Sequence, residues 1–303
     1  MPSGFRAYGS DTPTLRFTAG SRQRWHSVCR KISKLREHRP TGTDLAFSFP
    51  AGVELCIDCL AEVRSRQTPR NLFGVDRFSR CVALRPGPDL AAEFPGLEAL
   101  QFDATRLRIG PTEDAGAMFI EERLAAYRRT YVLETLKDEP RLRAYRDFFW
   151  RVGVDPTKVR PAAEALLRRV IQGKPFPRIN ALVDAYNLAS AETRIALAAF
   201  DKAKLNGDLR MRRSRLGETF LGIGMQAPVA LTGVEVVCED ADRLLAIYPY
   251  RDAEASKVTP ATRDVRFLVC GVPGISHEAL REAAAVAANT VMRFCGGTAD
   301  GPW

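Results

Sequence analysis

The chain has 303 residues, of which 46% are hydrophobic and 27% charged, a composition typical of a globular protein with one large or two smaller domains. No run approaches the roughly 18 consecutive apolar residues that a membrane span needs, and the first residues lack the apolar core of a secretory signal. We therefore expect a cytoplasmic protein without a membrane partner. Seven cysteines at irregular spacings indicate reduced thiols rather than a disulfide framework.

The net charge of +9 is concentrated at the beginning of the chain. Residues 1–80 carry 14 Lys and Arg against 7 Asp and Glu, which leaves only +2 for the rest. The first twenty residues are rich in Gly, Ser, Thr and Pro, and "SRQRWHSVCRKISKLREHRP" follows as a predicted basic helix. We interpret residues 1–80 as a basic, partly disordered extension. Such an arm favours a polyanionic partner, although a solvated tail explains the charge equally well.

Two closely spaced pairs of metal-ligand residues occur in this extension. His26 and Cys29 form the first pair, and Cys56 and Cys59 form the second. Four such ligands are able to hold a tetrahedral zinc ion. However, the 26 residues between the pairs are long for a zinc finger, and cysteines are often simply buried. Zinc is therefore the lesser alternative, and no cofactor is predicted.

From residue 81 onward the apolar pattern becomes denser. "CVALRP" and "LEALQFDATRLRI" predict strands, and "AMFIEERLAAYRRTYVLETL", "RLRAYRDFFWRVG", "RPAAEALLRRVIQG" and "INALVDAYNL" predict helices. An Asn-Gly turn leads into "LRMRR", and the strands "VEVVCED", "LLAIYPY" and "DVRFLVCG" precede a closing helix. Helices that cluster before strands favour an α+β fold over a doubly wound sheet. We predict one domain over residues 81–297, with 298–303 as a C-terminal tail.

The segment "PRINALVDAYNLAS" combines two stripes at helical spacing. An apolar stripe begins at Ile179, and beside it lie Asn180, Asp184 and Asn187. Asn and Asp are poor helix formers because their short side chains compete for the backbone. A buried polar group without a partner costs about 1–3 kcal/mol, so each is expected to have one. A ligand and a neighbouring strand remain alternative partners for Asn187.

The segment "YPYRDAEASKVTPATRDV", residues 248–265, concentrates binding groups between two predicted strands. Tyr248, Arg251, Asp252 and Lys257 offer aromatic, guanidinium, carboxylate and ammonium groups. The alternative is an exposed connection in which Asp252 pairs with Arg251 or Lys257. The chain has only three histidines and no G-x-S-x-G motif, so a catalytic triad is disfavoured. The segment "GIGM" lacks the sequence context of a dinucleotide-binding site.

These motifs together resemble the B3/4 domain of the phenylalanyl-tRNA synthetase β subunit, over about residues 85–297. The family's pattern reads roughly R-P-x-N-x-x-V-D-x-x-N, then H-A-F-D-x-x-K-x-x-G, then G-E. The matching positions are Arg178, Asn180, Val183, Asp184, Asn187, Ala199, Phe200, Asp201, Lys204, Gly207, Gly217 and Glu218. The resemblance implies an α+β module that binds amino acids and clears mischarged tRNA in a pocket beside the Asn-bearing helix. From the resemblance and the composition of residues 248–265 together, the predicted substrate-binding residues are Arg178, Asn180, Asp184, Asn187, Tyr248, Arg251, Asp252 and Lys257.

Three positions depart from the family's pattern. Ala198 stands in place of its His, Tyr186 in place of the Thr before the second Asn, and the apolar strand "VRFLVC" carries no Glu. The catalytic residues are therefore unassigned. We expect tRNA or aminoacyl-tRNA as the partner, with hydrolysis of mischarged tRNA in trans by an oriented water, and no charging of tRNA. The alternative is a non-catalytic pocket protein that binds a free aromatic amino acid or a related small molecule.

Overall fold

The computed structural model describes residues 81–300 and contains six helices and eleven strands in that range. The helices are α1 (Pro88–Glu93), α2 (Asp114–Thr130), α3 (Pro140–Arg151), α4 (Ala162–Ile171), α5 (Ala181–Thr193) and α6 (His277–Cys295). The strands are β1 (Val82–Leu84), β2 (Ala99–Thr105), β3 (Ala196–Asp201), β4 (Arg210–Arg213), β5 (Thr219–Phe220), β6 (Val229–Ala230), β7 (Val236–Glu239), β8 (Leu244–Ile247), β9 (Arg251–Asp252), β10 (Val265–Cys270) and β11 (Thr298–Asp300). The basic extension and the four proposed zinc ligands, His26, Cys29, Cys56 and Cys59, lie outside the described residues.

The strands form three antiparallel sheets. The central sheet has the order β1-β2-β10-β3, and β11 pairs with β2 beside residues 103–105. The second sheet has the order β4-β7-β8-β9, and β5 and β6 form a short ribbon. Residues 298–300, which sequence analysis places in a tail, thus add a strand to the central sheet. The α+β prediction is confirmed.

Helices α5 and α6 pack together and against the central sheet. The contact is close because α6 presents Ala283, Ala284, Ala287 and Ala288, all fully buried, and these small side chains keep the helix surfaces near each other. Under the helices the sheet is apolar. In its centre Phe102 stacks on Phe267 with ring centroids 4.8 Å apart, which anchors β2 to β10.

Helix α5 begins two residues later than the apolar stripe suggests. Asn180 is its N-cap, with the side-chain oxygen accepting a hydrogen bond from Val183 N at 3.0 Å. Ile179 lies before the helix and is 67% exposed, so the prediction that Ile179 and Asn180 belong to the helical stripes is wrong. The helix ends at Arg194, in the left-handed conformation with φ of 60°, and the chain turns directly into β3.

A second, smaller apolar cluster joins the helices. It includes Ile120 and Leu124 from α2, Leu167 and Val170 from α4, and Leu188 from α5. This cluster fixes α2 and α4 side by side, away from the core of the central sheet. Within residues 81–300, no helix is long and apolar enough to cross a membrane.

Candidate functional site

A cavity of about 220 Å³ opens between the central and second sheets. Its walls are Leu197 and Ala198 from β3, Leu268 and Cys270 from β10, and Ala246 from β8. The remaining lining residues are Ala162, Ile223, Tyr248, Pro249, Tyr250, Arg251 and Asp252. Sites for drug-sized ligands occupy about 300–1,000 Å³, so this volume suits a group of amino-acid size.

Asp252 brings a carboxyl group into this mainly apolar cavity. Burial raises the pKa of Asp252 from its usual 3.8 to about 7, although the Ala199 backbone N–H and the charge of Arg251 act in the opposite direction. The negative charge in turn helps to raise the pKa of Tyr186 and Cys238, both chiefly raised by burial. A carboxyl with a pKa near neutrality, at the wall of a cavity, is able to exchange a proton with a ligand.

Backbone contacts hold Asp252 at the cavity. Strand β9 has only two residues, and Asp252 pairs with Ala246 of β8 while its carbonyl accepts a hydrogen bond from Ile223 N at 2.8 Å. Arg251 Nη1 donates to the Ile223 carbonyl at 3.2 Å. A Cβ atom at Gly222 would lie 2.6 Å from Arg251 Cγ, so glycine is needed for this close approach. The "GIGM" segment therefore forms one side of the cavity mouth.

Two other polar groups of the cavity wall are not free to react. Tyr248 is buried, its hydroxyl donates to the Gly271 carbonyl, and burial raises its pKa well above the usual value. Burial also raises the pKa of the Cys270 thiol well above 9.0. A thiol must be deprotonated to act as a nucleophile, so Cys270 is inert at neutral pH. Tyr248 and Cys270 shape the cavity, and Asp252 is the carboxyl group of its wall.

The residues at the start of α5 form a separate cluster. Asp184 is 1% exposed and accepts hydrogen bonds from Ile179 N at 2.8 Å and from Thr112 Oγ1 at 2.7 Å. Arg178 Nη1 lies 3.8 Å from the same carboxylate. Together with the Asn180 cap, these contacts hold the entry of the chain into α5. None of the three predicted residues, Arg178, Asn180 and Asp184, lines the cavity.

The last two predicted residues also lie outside the cavity lining. Asn187 is half-buried, and its side chain makes no hydrogen bond within residues 81–300. Lys257 Nζ forms an ion pair with Glu254, and the Lys257 carbonyl accepts from Lys204 Nζ at 2.8 Å. The alternative in which Asp252 pairs with Arg251 or Lys257 is wrong, because neither cation comes within ion-pair distance of Asp252.

Another motif residue has a structural role. Glu218 accepts hydrogen bonds from Arg212 at 3.0 and 2.7 Å, and Arg212 also reaches Glu239 at 2.5 Å. This bridge ties the turn after β4 to the second sheet. In the part of the chain covered by the structure, no three His, Cys, Asp or Glu side chains gather as a metal site requires.

Sequence reasoning missed the residues that give the cavity its shape. Leu197, Ala198, Ile223 and Leu268 are ordinary apolar residues, and only the tertiary packing of the two sheets brings them together. The one signal in the sequence was the departure at Ala198, where a small side chain leaves space that a larger one would fill.

The chain is similar to a known domain family and to several known proteins. The family model described as "B3/4 domain" matches residues 144–296. The phenylalanine–tRNA ligase beta subunit of Pseudomonas savastanoi is 38% identical over 87 residues, 29% of this chain and 11% of that protein. The same subunit from Chromobacterium violaceum is 32% identical over 101 residues, 33% of this chain and 13% of that protein. The chain thus matches only a small part of the length of these relatives.

Among solved structures, an N-terminal fragment of the phenylalanyl-tRNA synthetase beta-subunit from Pyrococcus horikoshii is similar to this chain. The similarity has a TM-score of 0.34 and 17% identity, and covers 39% of this chain and 41% of the fragment. The family assignment depends instead on the model match, which spans half of the chain and includes α5, α6, the cavity strands and the Asp184 and Asp252 positions. The chain belongs to the B3/4 domain family.

Proposed function

We propose that this protein binds aminoacyl-tRNA and hydrolyses mischarged aminoacyl-tRNA in trans, with the aminoacyl group in the cavity at Asp252. The relatives that match are tRNA ligase subunits by name, which supports a tRNA-related role. The observation that carries the proposal is the single carboxyl group in a mainly apolar cavity of amino-acid size. In this proposal the protein acts in the cytoplasm, where charged tRNA is its substrate.

The proposed reaction needs little from the protein beyond orientation and one proton acceptor. Water attacks the ester carbonyl, Asp252 takes the proton, and the tetrahedral oxyanion collapses to release the terminal hydroxyl of the tRNA, which recovers the proton. A base with a pKa near 7 suits this step at neutral pH. Arg251, exposed at the mouth, offers positive charge to the developing oxyanion. The inert Cys270 thiol supports an attack by water rather than a covalent intermediate.

The roles of the predicted residues differ in this proposal. Tyr248, Arg251 and Asp252 belong to the site. Arg178, Asn180, Asp184, Asn187 and Lys257 have no part in it, because they lie outside the cavity lining.

A deacylation assay tests the proposal. Total tRNA charged separately with each of a panel of amino acids is incubated with the purified full chain, and release of the amino acid is followed over time. We expect accelerated release for a subset of amino acids that fit about 220 Å³. Release no faster than the uncatalysed reaction for every amino acid would contradict hydrolysis.

The apolar walls favour one second candidate, a pocket protein that binds a free aromatic amino acid or related small molecule. Leu197, Leu268 and Ala246 provide a surface for an aromatic ring without the help of RNA. Isothermal titration with free aromatic amino acids distinguishes the two candidates. Micromolar binding of the free amino acid together with no deacylation would favour the pocket protein.

A further inference from the structure

Four exposed cations gather where α2 and α4 end. Arg128 and Arg129 close α2, Arg169 lies in the last turn of α4, and Lys174 follows that helix after the turn at Gly173. We name this set the α2–α4 basic patch.

Hydrogen bonds hold the patch together. Arg128 Nε of α2 donates to the Val170 carbonyl at 3.2 Å, which places the end of α2 beside the end of α4. Lys174 N donates to the Arg169 carbonyl at 2.9 Å, and Arg169 Nε donates to the Pro175 carbonyl at 3.2 Å. Arg128, Arg169 and Lys174 therefore lie at the same end of the helix pair, Arg129 follows Arg128 directly in the chain, and the small apolar cluster beneath fixes the two helices.

The charges of the patch are not compensated by carboxylates. Several other arginines of the domain are paired, such as Arg146 with Glu164, Arg212 with Glu218, and Arg266 with Asp103. Within residues 81–300, no member of the patch forms an ion pair. Two helix C-termini contribute about −0.5 charge each, which is less than the four full positive charges of the patch.

Stabilisation of helix ends does not account for all four cations. Arg128 and Arg169 each donate to a backbone carbonyl, which is the contact expected of a cation near a helix C-terminus. The side chains of Arg129 and Lys174 make no hydrogen bond in the described part of the chain, and both are exposed. Two cations thus face solvent without a structural partner, the arrangement that binds phosphate groups.

We propose that the α2–α4 basic patch binds the phosphate backbone of an RNA strand. This inference rests on the proposed function, which places the aminoacyl group in the cavity. Helix α4 begins with Ala162 at the cavity and ends at the patch. Ten helical residues at about 1.5 Å each separate the two by roughly 15 Å, the length of a few nucleotides. A tRNA whose aminoacyl end enters the cavity runs along α4 and meets the patch with its backbone.

The test uses the full chain and uncharged total tRNA, whose binding needs no hydrolysis. The double variant Arg129→Ser with Lys174→Ser removes two patch charges and no helix-end hydrogen bond. The matched control is the double variant Arg85→Ser with Arg281→Ser. Both residues are exposed and form no ion pair within residues 81–300, and each directly follows a residue of the core of the central sheet. Affinities are measured by filter binding between 50 and 300 mM salt, after thermal melts show both variants folded.

We expect the patch variant to lose at least tenfold in affinity near 0.1 M salt and the slope of log affinity against log salt to fall by about 1–2, because each phosphate contact contributes about 0.7–0.9 to that slope. The control should lose threefold or less. Equal losses in both variants, or none in either, would overturn the patch. If the wild-type chain binds no tRNA, both the patch and the proposed function fall; if it binds tRNA without deacylation, only hydrolysis falls.

Discussion

Two carboxyl groups of this domain, one buried and one half-buried, lie in contrasting surroundings. Asp184, at the start of α5, receives hydrogen bonds from Thr112 and Ile179 and has Arg178 nearby. Asp252, at the cavity, has one backbone N–H and no ion-pair partner, and burial raises its pKa to about 7. The sequence predicts both residues as binding groups, but only Asp252 lines the cavity.

The contrast shows how to separate a structural carboxylate from a functional one. A buried charge with several donors is stabilised in its ionised form, and its loss leaves those donors unpaired. A desolvated carboxyl with few donors reduces stability at neutral pH, and such a group persists where function requires it. The number of donors distinguishes these two residues, and Asp184 is also the more deeply buried.

The largest expected effect on stability is the loss of Asp184. Asp184→Ala leaves Thr112, Ile179 and Arg178 without their acceptor, so we expect the free energy of unfolding to fall by about 3 kcal/mol. Urea unfolding at pH 7 measures this free energy for the wild type and the variant. Asp184→Asn, which keeps one acceptor oxygen, should lose less. A loss below about 1 kcal/mol for the alanine variant would show that the cluster does not hold α5.

Loss of the Asp252 carboxylate should change the free energy of unfolding in the opposite direction. Its folded pKa of about 7 lies above the usual 3.8, so the protonated form favours the folded state. The destabilisation from ionising Asp252 is absent below pH 4 and complete above pH 7. We expect Asp252→Asn to be more stable than wild type by about 1–3 kcal/mol at pH 8, with a smaller difference at pH 4.5. A difference that does not change with pH would contradict the raised pKa.

The smallest effects concern the two asparagines of the motif. Asn180→Ala removes the N-cap of α5 and should cost about 1 kcal/mol, whereas Asn180→Ser keeps a capping oxygen and should cost less. Asn187→Ala should change stability by less than about 0.5 kcal/mol, because Asn187 makes no hydrogen bond within residues 81–300. Thermal melts of the three variants give the ranking. Loss of deacylation in Asn187→Ala at unchanged stability would place Asn187 in the site after all.

Sequence periodicity predicted most of the elements that position the cavity. Strands β2, β8 and β10 and helices α5 and α6 lie where apolar patterns place them. Strand β3 was not predicted, because its sequence, "ALAAFD", continues the alanine-rich composition of α5, and the break between them depends on the left-handed Arg194. The role of Asn180 was misassigned because a cap residue happens to share the spacing of Asp184 and Asn187.

The site was predicted only in part. The polar composition of residues 248–265 predicted Tyr248, Arg251 and Asp252 as binding groups, and these three line the cavity; it also included Lys257, which pairs with Glu254 instead. The choice among them depends on the pairing of β9 with β8 and on the position of Ile223, which are tertiary features. Local sequence does not specify which of several polar residues in a loop reaches a cavity formed by two distant sheets.

In the proposed function, Asp252 supplies the chemistry of the cavity at a cost in stability. The most direct measurement is the deacylation rate of Asp252→Asn, per folded molecule at pH 7.5, on the aminoacyl-tRNA that wild type hydrolyses fastest, with the unfolding free energy measured at the same pH. We predict a rate at least 100-fold lower, within the range for loss of a general base, together with an increase in stability. An unchanged rate, or a reduced rate explained by a loss of stability, would contradict the account.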